Sequence, residues 1–146
     1  VMAEALGLTG KERVLEIGAG SGYGAAILSL LAREVVAVER IPQLMAEAKG
    51  RWSSLGLANI TGVEGDGSLG WPDLAPFDCI CVTAAAPKAP AALIEQLNPE
   101  SGRMVIPLGT RWFQNLCIIR PTANGGHAVE ERFPCVFVPL LGKEGW

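Results

Sequence analysis

Residues 14–24 read VLEIGAGSGYG, an apolar run carrying one acid, Glu16, followed by four glycines within seven positions. A short strand that runs into glycines and then a helix is how α/β sheets build a turn for a nucleotide, with a pyrophosphate at the helix N-terminus. Glu16 stands two residues before the first glycine, where its charge would repel that group. Spacing leaves the matter open. Gly18, Gly20 and Gly22 give G-x-G-x-G, with Tyr23 where a dinucleotide fingerprint places its third glycine. A register starting at Gly20 fits G-x-G-x-x-A and ends at Ala25.

Outward from this turn the chain alternates between strand and helix. Strands are expected at Arg13–Ile17, Glu34–Glu39, Asn59–Glu64, Phe77–Thr83 and Met104–Leu108. A helix over Gly22–Arg33 should bury Ile27, Leu30 and Leu31. A second, opened by Pro42 and closed by Gly56, should bury Leu44, Ala48 and Leu55. A third starts at Pro90 and stops near Asn98, because Pro99 disfavours helical geometry in the residue before it. No helical pattern follows the fifth strand. Asn115–Arg120 and Val129–Val138 read as strands joined across PTANGG, a hairpin connection. Repeated strand–helix units imply a parallel sheet covered on both faces. The expected fold is a doubly wound α/β sheet, mostly parallel, of about seven strands with an antiparallel C-terminal edge.

Composition narrows the function classes. The 146 residues suit one domain, 49 % of them hydrophobic, with net charge −3. No apolar run reaches the roughly 18 residues of a membrane span, and the charge lacks the basic footprint of a nucleic-acid binder. Cys79 and Cys81 alternate in one strand, Cys117 and Cys135 lie in two later ones, and there is a single histidine, His127. Without C-x-x-C or histidine pairs no metal site is expected. Buried thiols in the cytoplasm fit better. His127, beside Gly125-Gly126, reads as a surface residue.

Ligands of such sheets sit at the carboxyl ends of the strands, beside the first. There the sequence places Glu16-Ile17-Gly18, Glu39, Gly65-Asp66-Gly67 and Thr83. Three acids at one crevice repel a pyrophosphate and attract a cofactor carrying an ammonium and a sulfonium. S-adenosyl-L-methionine is such a cofactor. Glu16 would orient the turn and the methionine ammonium, Glu39 would accept ribose hydroxyls, and Asp66 would accept from the adenine amino group. Each acid also has a bland reading. Glu16 could cap the turn, Glu39 could be a solvated strand end, and Asp66 could form an Asx turn.

VLEIGAGSGYGAAIL, VER, GDGSLGWPDLAPFDCICVTAAAP, LNPESGRMVIPLG and FPCVFVPLLG, in that order, closely resemble the protein-L-isoaspartate O-methyltransferase family. The resemblance implies methyl transfer from S-adenosyl-L-methionine to the α-carboxyl of L-isoaspartyl residues in damaged proteins, which starts repair through a succinimide. It carries cofactor contacts onto the Gly18–Gly22 turn, Glu39 with Arg40, Asp66 with Gly67, and Thr83. It places Ala84, Ala85, Ala86 and Pro87, with Val138 and Leu140, beside the peptide, and implies a monomer acting without nucleic acid or membrane. Ala84–Ala86 would leave room for peptide main chain, or would simply be a packed loop. No catalytic side chain is expected, because an isoaspartyl carboxyl with a pKa of about 3.3–3.9 is already ionised near neutrality. Two departures stand out. The family carries a Gly-x-x-Ile-Ser-type segment ahead of this point, and the chain opens on Val1 within a helix, so the expectation is an N-terminally truncated single methyltransferase domain over residues 1–146. GTRWFQ (109–114) is more aromatic than the family pattern, and Trp112 and Phe113 read as an ordinary packed lip, with the lining of a peptide groove as the alternative.

Three rival readings have distinguishing features. An inactive methyltransferase-like module would bind S-adenosyl-L-methionine without turnover. A nicotinamide-dependent oxidoreductase would need a hydride-transfer acid or base that the sequence does not offer. An amino-methylating nucleic-acid enzyme would carry Asn/Asp-Pro-Pro-aromatic where this chain has Thr83-Ala84-Ala85-Ala86.

Overall fold

In the computed structural model, which describes residues 1–146, the strands are β1 (Arg13–Ile17), β2 (Glu34–Glu39), β3 (Ile60–Glu64), β4 (Cys79–Val82), β5 (Arg103–Gly109), β6 (Gln114–Pro121) and β7 (His127–Cys135). The helices are α1 (Met2–Leu6), α2 (Tyr23–Leu31), α3 (Pro42–Ser54) and α4 (Ala91–Glu95). The seven strands form one sheet in the order β3-β2-β1-β4-β5-β6-β7. Pairing is parallel from β3 through β5 and antiparallel for β5–β6 and β6–β7. This is the doubly wound sheet expected from the alternation, with the expected antiparallel edge. The chain leaves β1 toward β2 on one side and later reaches β4 on the other, so the β1/β4 boundary is the switch point where such sheets open a crevice.

Alternation along each strand sends side chains to two different layers. Val14, Val35, Ala37 and Cys81 enter a core beneath α2 and α3 with Leu28, Met45 and Trp52. Leu15, Ile17, Val38 and Val82 enter a second core with Phe77, Leu93 and Ile106. Both faces are therefore buried, which explains the near-continuous apolar runs of β2 and β4.

The helix stripes correct the sequence reading. In α2 the sheet-facing residues are Ala25, Leu28 and Ser29, whereas Leu30 and Leu31 are exposed and Ile27 is half-buried. Small residues let the helix lie close to the sheet, and the Asn59 side-chain amide donates to the Ser29 carbonyl at 2.8 Å, pinning that face inward. In α3 the buried stripe is Met45, Ala48 and Trp52. Leu44 is half-buried and Leu55, past the helix end, is exposed. Helical phase and the bulk of Trp52, not leucine content, set the buried stripes.

Boundaries shift as well. β4 is shorter than Phe77–Thr83, and β7 begins earlier and ends at Cys135. α4 ends at Glu95, after which Phe77 and Leu97 form an isolated parallel bridge. Two 3-10 turns, Gly67–Leu69 and Pro72–Leu74, follow β3 in addition to the expected elements. Cys79, Cys81 and Cys117 are buried as expected, but Cys135 is only partly so, and all four are free thiols. His127 is exposed.

Candidate functional site

A cleft of about 350 Å³ opens at the carboxyl ends of β1, β2 and β4. The glycine turn forms one wall. Gly18, Gly20 and Gly22 take φ of 88°, 52° and 83°, values that L side chains rarely adopt, so the turn requires glycine at these positions. Trp52 supports the turn from behind, its indole N–H donating to the Gly22 carbonyl at 2.8 Å. Thr83, at the end of β4, donates its hydroxyl to the Ile17 and Gly18 carbonyls at 2.9 and 2.8 Å and so fixes the entry to the turn.

Glu39 is 7 % exposed and lines the cleft. Its Oε2 accepts the Gly20 amide at 2.9 Å and its Oε1 accepts the Ile41 amide at 3.0 Å. The reading as a solvated strand end does not hold. Each carboxylate oxygen has further acceptor capacity for a ligand donor. The turn amide that would serve a phosphate is held by a carboxylate instead.

Glu16 sits elsewhere. It shares the parity of Val14, and its side chain lies 1 % exposed in the layer under α2 rather than in the cleft. The amide of Ala25 faces its carboxyl, burial together with the nearby Glu39 charge outweighs that contact, and the pKa is pushed up to about 8. One oxygen, Oε2, has no partner. Oε1 fills the space that a Cβ on Gly24 would need. The three-acid convergence is thus corrected to one acid in the cleft and one beneath it, at the N-terminal end of α2.

Asp66 is the third. Its Oδ1 accepts from the amide and hydroxyl of Ser68 at 2.9 and 2.7 Å, and its Oδ2 accepts the Lys143 amide at 2.8 Å. Burial raises its pKa, but these bonds and the Arg40 charge outweigh it, and the pKa falls below the ordinary carboxylate value. Asp66 caps a 3-10 turn, as its bland reading held, and anchors the segment after Leu140. It does not line the cleft, whereas its neighbour Gly67 does.

The cleft also brings together Arg40, Ala84, Val138 and Leu140. Gly22, Ala85, Ala86 and Pro87 lie outside it. The Ala85 amide donates to the Val138 carbonyl at 2.8 Å and the Ala86 amide to Pro107 at 3.0 Å, so these residues hold the wall together. Ala85 and Ala86 are buried, which makes the segment a packed loop rather than an open strip of main chain. The sequence reading missed Ile17, Val38, Ile41 and Leu44, the apolar lining. The alternation of β1 and β2 could have supplied the first two. No group of three or more His, Cys, Asp or Glu side chains is arranged to hold a metal, and no helix is long and apolar enough to cross a membrane.

Comparison with known proteins agrees with this geometry. Residues 1–145 match the family described as Protein-L-isoaspartate(D-aspartate) O-methyltransferase (PCMT). Protein-L-isoaspartate O-methyltransferase 2 of Marinobacter nauticus is 50 % identical over 147 residues, which cover 100 % of this chain and 67 % of the relative. That of Pelobacter propionicus is 49 % identical, with 99 % and 64 % covered. The chain therefore spans about two thirds of these relatives' length. A solved protein-L-isoaspartate O-methyltransferase superposes with a TM-score of 0.88 at 30 % identity, covering 99 % of this chain and 46 % of that one. A Plasmodium falciparum structure, described as a putative family member in complex with S-adenosyl-L-homocysteine, shares the fold at TM-score 0.74 and 23 % identity, with 96 % and 69 % covered. By sequence over nearly its whole length and by fold, this chain belongs to the protein-L-isoaspartate(D-aspartate) O-methyltransferase family.

Proposed function

We propose that the cleft binds S-adenosyl-L-methionine and that the protein methylates the α-carboxyl of L-isoaspartyl residues in damaged proteins. The observation that carries the cofactor reading is the bond from the Gly20 amide to Glu39 at 2.9 Å. It places a buried acid at the nucleotide end of a glycine turn, with Gly67 packed so close to Ile17 that a Cβ there would collide with its side chain. These residues fit a nucleoside without phosphate. Glu39 would hold its ribose hydroxyls, and Ile17, Val38 and Leu44 would pack on its apolar faces. The bound cofactor supplies an electrophilic methyl group on sulfur.

The rest falls to shape. The acceptor carboxylate is ionised at neutral pH and needs no base, which accords with a cleft that offers no His, Cys or Ser poised as one. The chain's own contribution is to align the carboxylate and exclude water, the source of rate in such sites. Ala84, Val138 and Leu140 form the apolar wall suited to that task, and Arg40 adds a cation for the incoming carboxylate. Glu16 keeps only its supporting role beneath the turn, and Asp66 acts through the segment it anchors. We further propose that the protein works as a monomer in the cytoplasm without nucleic acid. Four free thiols support the compartment, and a net charge of −3 supports the absence of nucleic acid.

The test is methyl ester formation on an isoaspartyl peptide beside its aspartyl twin. Esterification of the isoaspartyl peptide alone is expected. Equal labelling of both, or of neither, would overturn the reading.

A further inference from the structure

Four apolar side chains stand out of the surface on two hydrogen-bonded segments, one of which lines the cleft through Val138. Trp112 and Phe113, at the tip between β5 and β6, are 84 % and 72 % exposed, and Val136 and Val138 are 77 % and 70 % exposed. The expectation of a packed lip is overturned. Isolated exposed apolar residues are ordinary, but a group gathered at the rim of a cleft marks an interaction surface.

The gathering is built. Buried Gln114 joins the two segments, its Nε2 donating to the Thr110 carbonyl at 2.7 Å and its Oε1 accepting the Phe137 amide at 2.8 Å. The tip is itself a closed turn. The Thr110 amide donates to the Phe113 carbonyl at 2.8 Å, and the Phe113 amide donates to the Thr110 hydroxyl at 3.1 Å. Arg111 lies over the Trp146 ring, 5.2 Å from its centroid, and the Trp146 indole N–H donates to Ala85 at 3.1 Å. The tip is therefore tethered to the loop that bounds the cleft, and Val138 both lines the cleft and faces solvent.

We propose that Trp112, Phe113, Val136 and Val138 form a side-chain subsite for the polypeptide substrate, which takes an apolar or aromatic residue adjacent to the isoaspartyl residue. The proposal rests on the function given above and adds a substrate preference to it. Continuity with the cleft wall selects the occupant. A polypeptide with its reacting carboxylate in the cleft must run out across a rim, and this rim offers rigid aromatic area. Two aromatic side chains held on a fixed turn lose little freedom on binding and supply large contact area.

The test uses isoaspartyl peptides that differ only in the flanking residue, leucine or glycine, with fluorescence anisotropy for binding and ester formation for turnover. The variant is Trp112→Ser/Phe113→Ser, whose side chains are exposed and whose turn is held by Thr110. The native protein should bind the leucine peptide about tenfold more tightly than the glycine peptide, as loss of an aromatic anchor costs. In the variant the two peptides should become equal, with binding of the glycine peptide and kcat unchanged. No preference in the native protein, or a preference that survives in the variant, would overturn the proposal. So would self-association that disappears in the variant while peptide binding is unaltered, which would assign the rim to a second copy. Failure of ester formation on every peptide would count against the function itself, because binding preference is read separately.

Discussion

Glu39, the last residue of β2, accepts the Gly20 amide at 2.9 Å, so an acid on one strand closes the glycine turn that follows its neighbour. This joins cofactor selection to the shape of the turn. Removing the carboxylate frees the Gly20 and Ile41 amides and removes an acceptor from the cleft. Glu39→Ala should weaken S-adenosyl-L-homocysteine binding by about 1.5–3 kcal/mol, the range for hydrogen bonds to a charged group. Calorimetry on a folded variant with unchanged affinity would contradict the assignment.

Glu16 predicts a pH dependence. Its folded pKa of about 8 lies above its ordinary value of 4.5. Between these values the folded chain binds more protons than the unfolded one, so this group's contribution is whole below about pH 4.5 and is lost as pH rises through 8. Relative to Glu16→Gln, the native protein should lose melting temperature from pH 5 to pH 8 and level off above. Parallel curves for the two proteins would show that Glu16 is ionised in the fold.

Asp66 ties β3 to the segment after Leu140 through Lys143 and Ser68. Asp66→Ala removes the 3-10 cap as well as this tie, at a cost of about 1 kcal/mol. Limited proteolysis should then cut residues 139–146 faster, and cofactor binding should weaken because Pro139–Leu141 form a cleft wall. Unchanged cutting would separate Asp66 from that segment.

Gly67 meets the Ile17 side chain where a Cβ would stand. Gly67→Ala should destabilise the protein by about 1–3 kcal/mol through overpacking and lower cofactor affinity, since both residues line the cleft. A denaturant midpoint equal to the native protein's would show that the site relaxes freely.

Strand order, the antiparallel edge and the place of the cleft were legible because they follow from element type and order. A glycine turn after β1 and an acid after β2 are local signals, and Glu39 and Thr83 landed where those signals put them. What failed were matters of direction. Glu16 and Glu39 lie on the same sheet face, and position along the strand decides between them: Glu39 is the last residue of β2 and reaches the cleft, while Glu16 stands one residue short of the end of β1 and faces core with Val14. Residue type could not tell whether Asp66 would meet a ligand or the Lys143 amide, 77 positions away. Ala84–Ala86 left an open strip and a packed loop as alternatives because alanine suits both, and the contacts of Ala85 and Ala86 with the 138–140 segment and β5 decide for the loop. Trp112 and Phe113 read as packed because they are large and apolar, while a turn held by Thr110 and Gln114 carries them outward.

Glu39, by holding the Gly20 amide, makes the cleft a site for a nucleoside without phosphate rather than for a pyrophosphate. Titration of the protein with S-adenosyl-L-homocysteine and with NAD in the same calorimeter tests it most directly. Measurable binding of S-adenosyl-L-homocysteine and much weaker binding of NAD are expected, with the first reduced by Glu39→Ala. NAD binding equal to or tighter than that of S-adenosyl-L-homocysteine would contradict it.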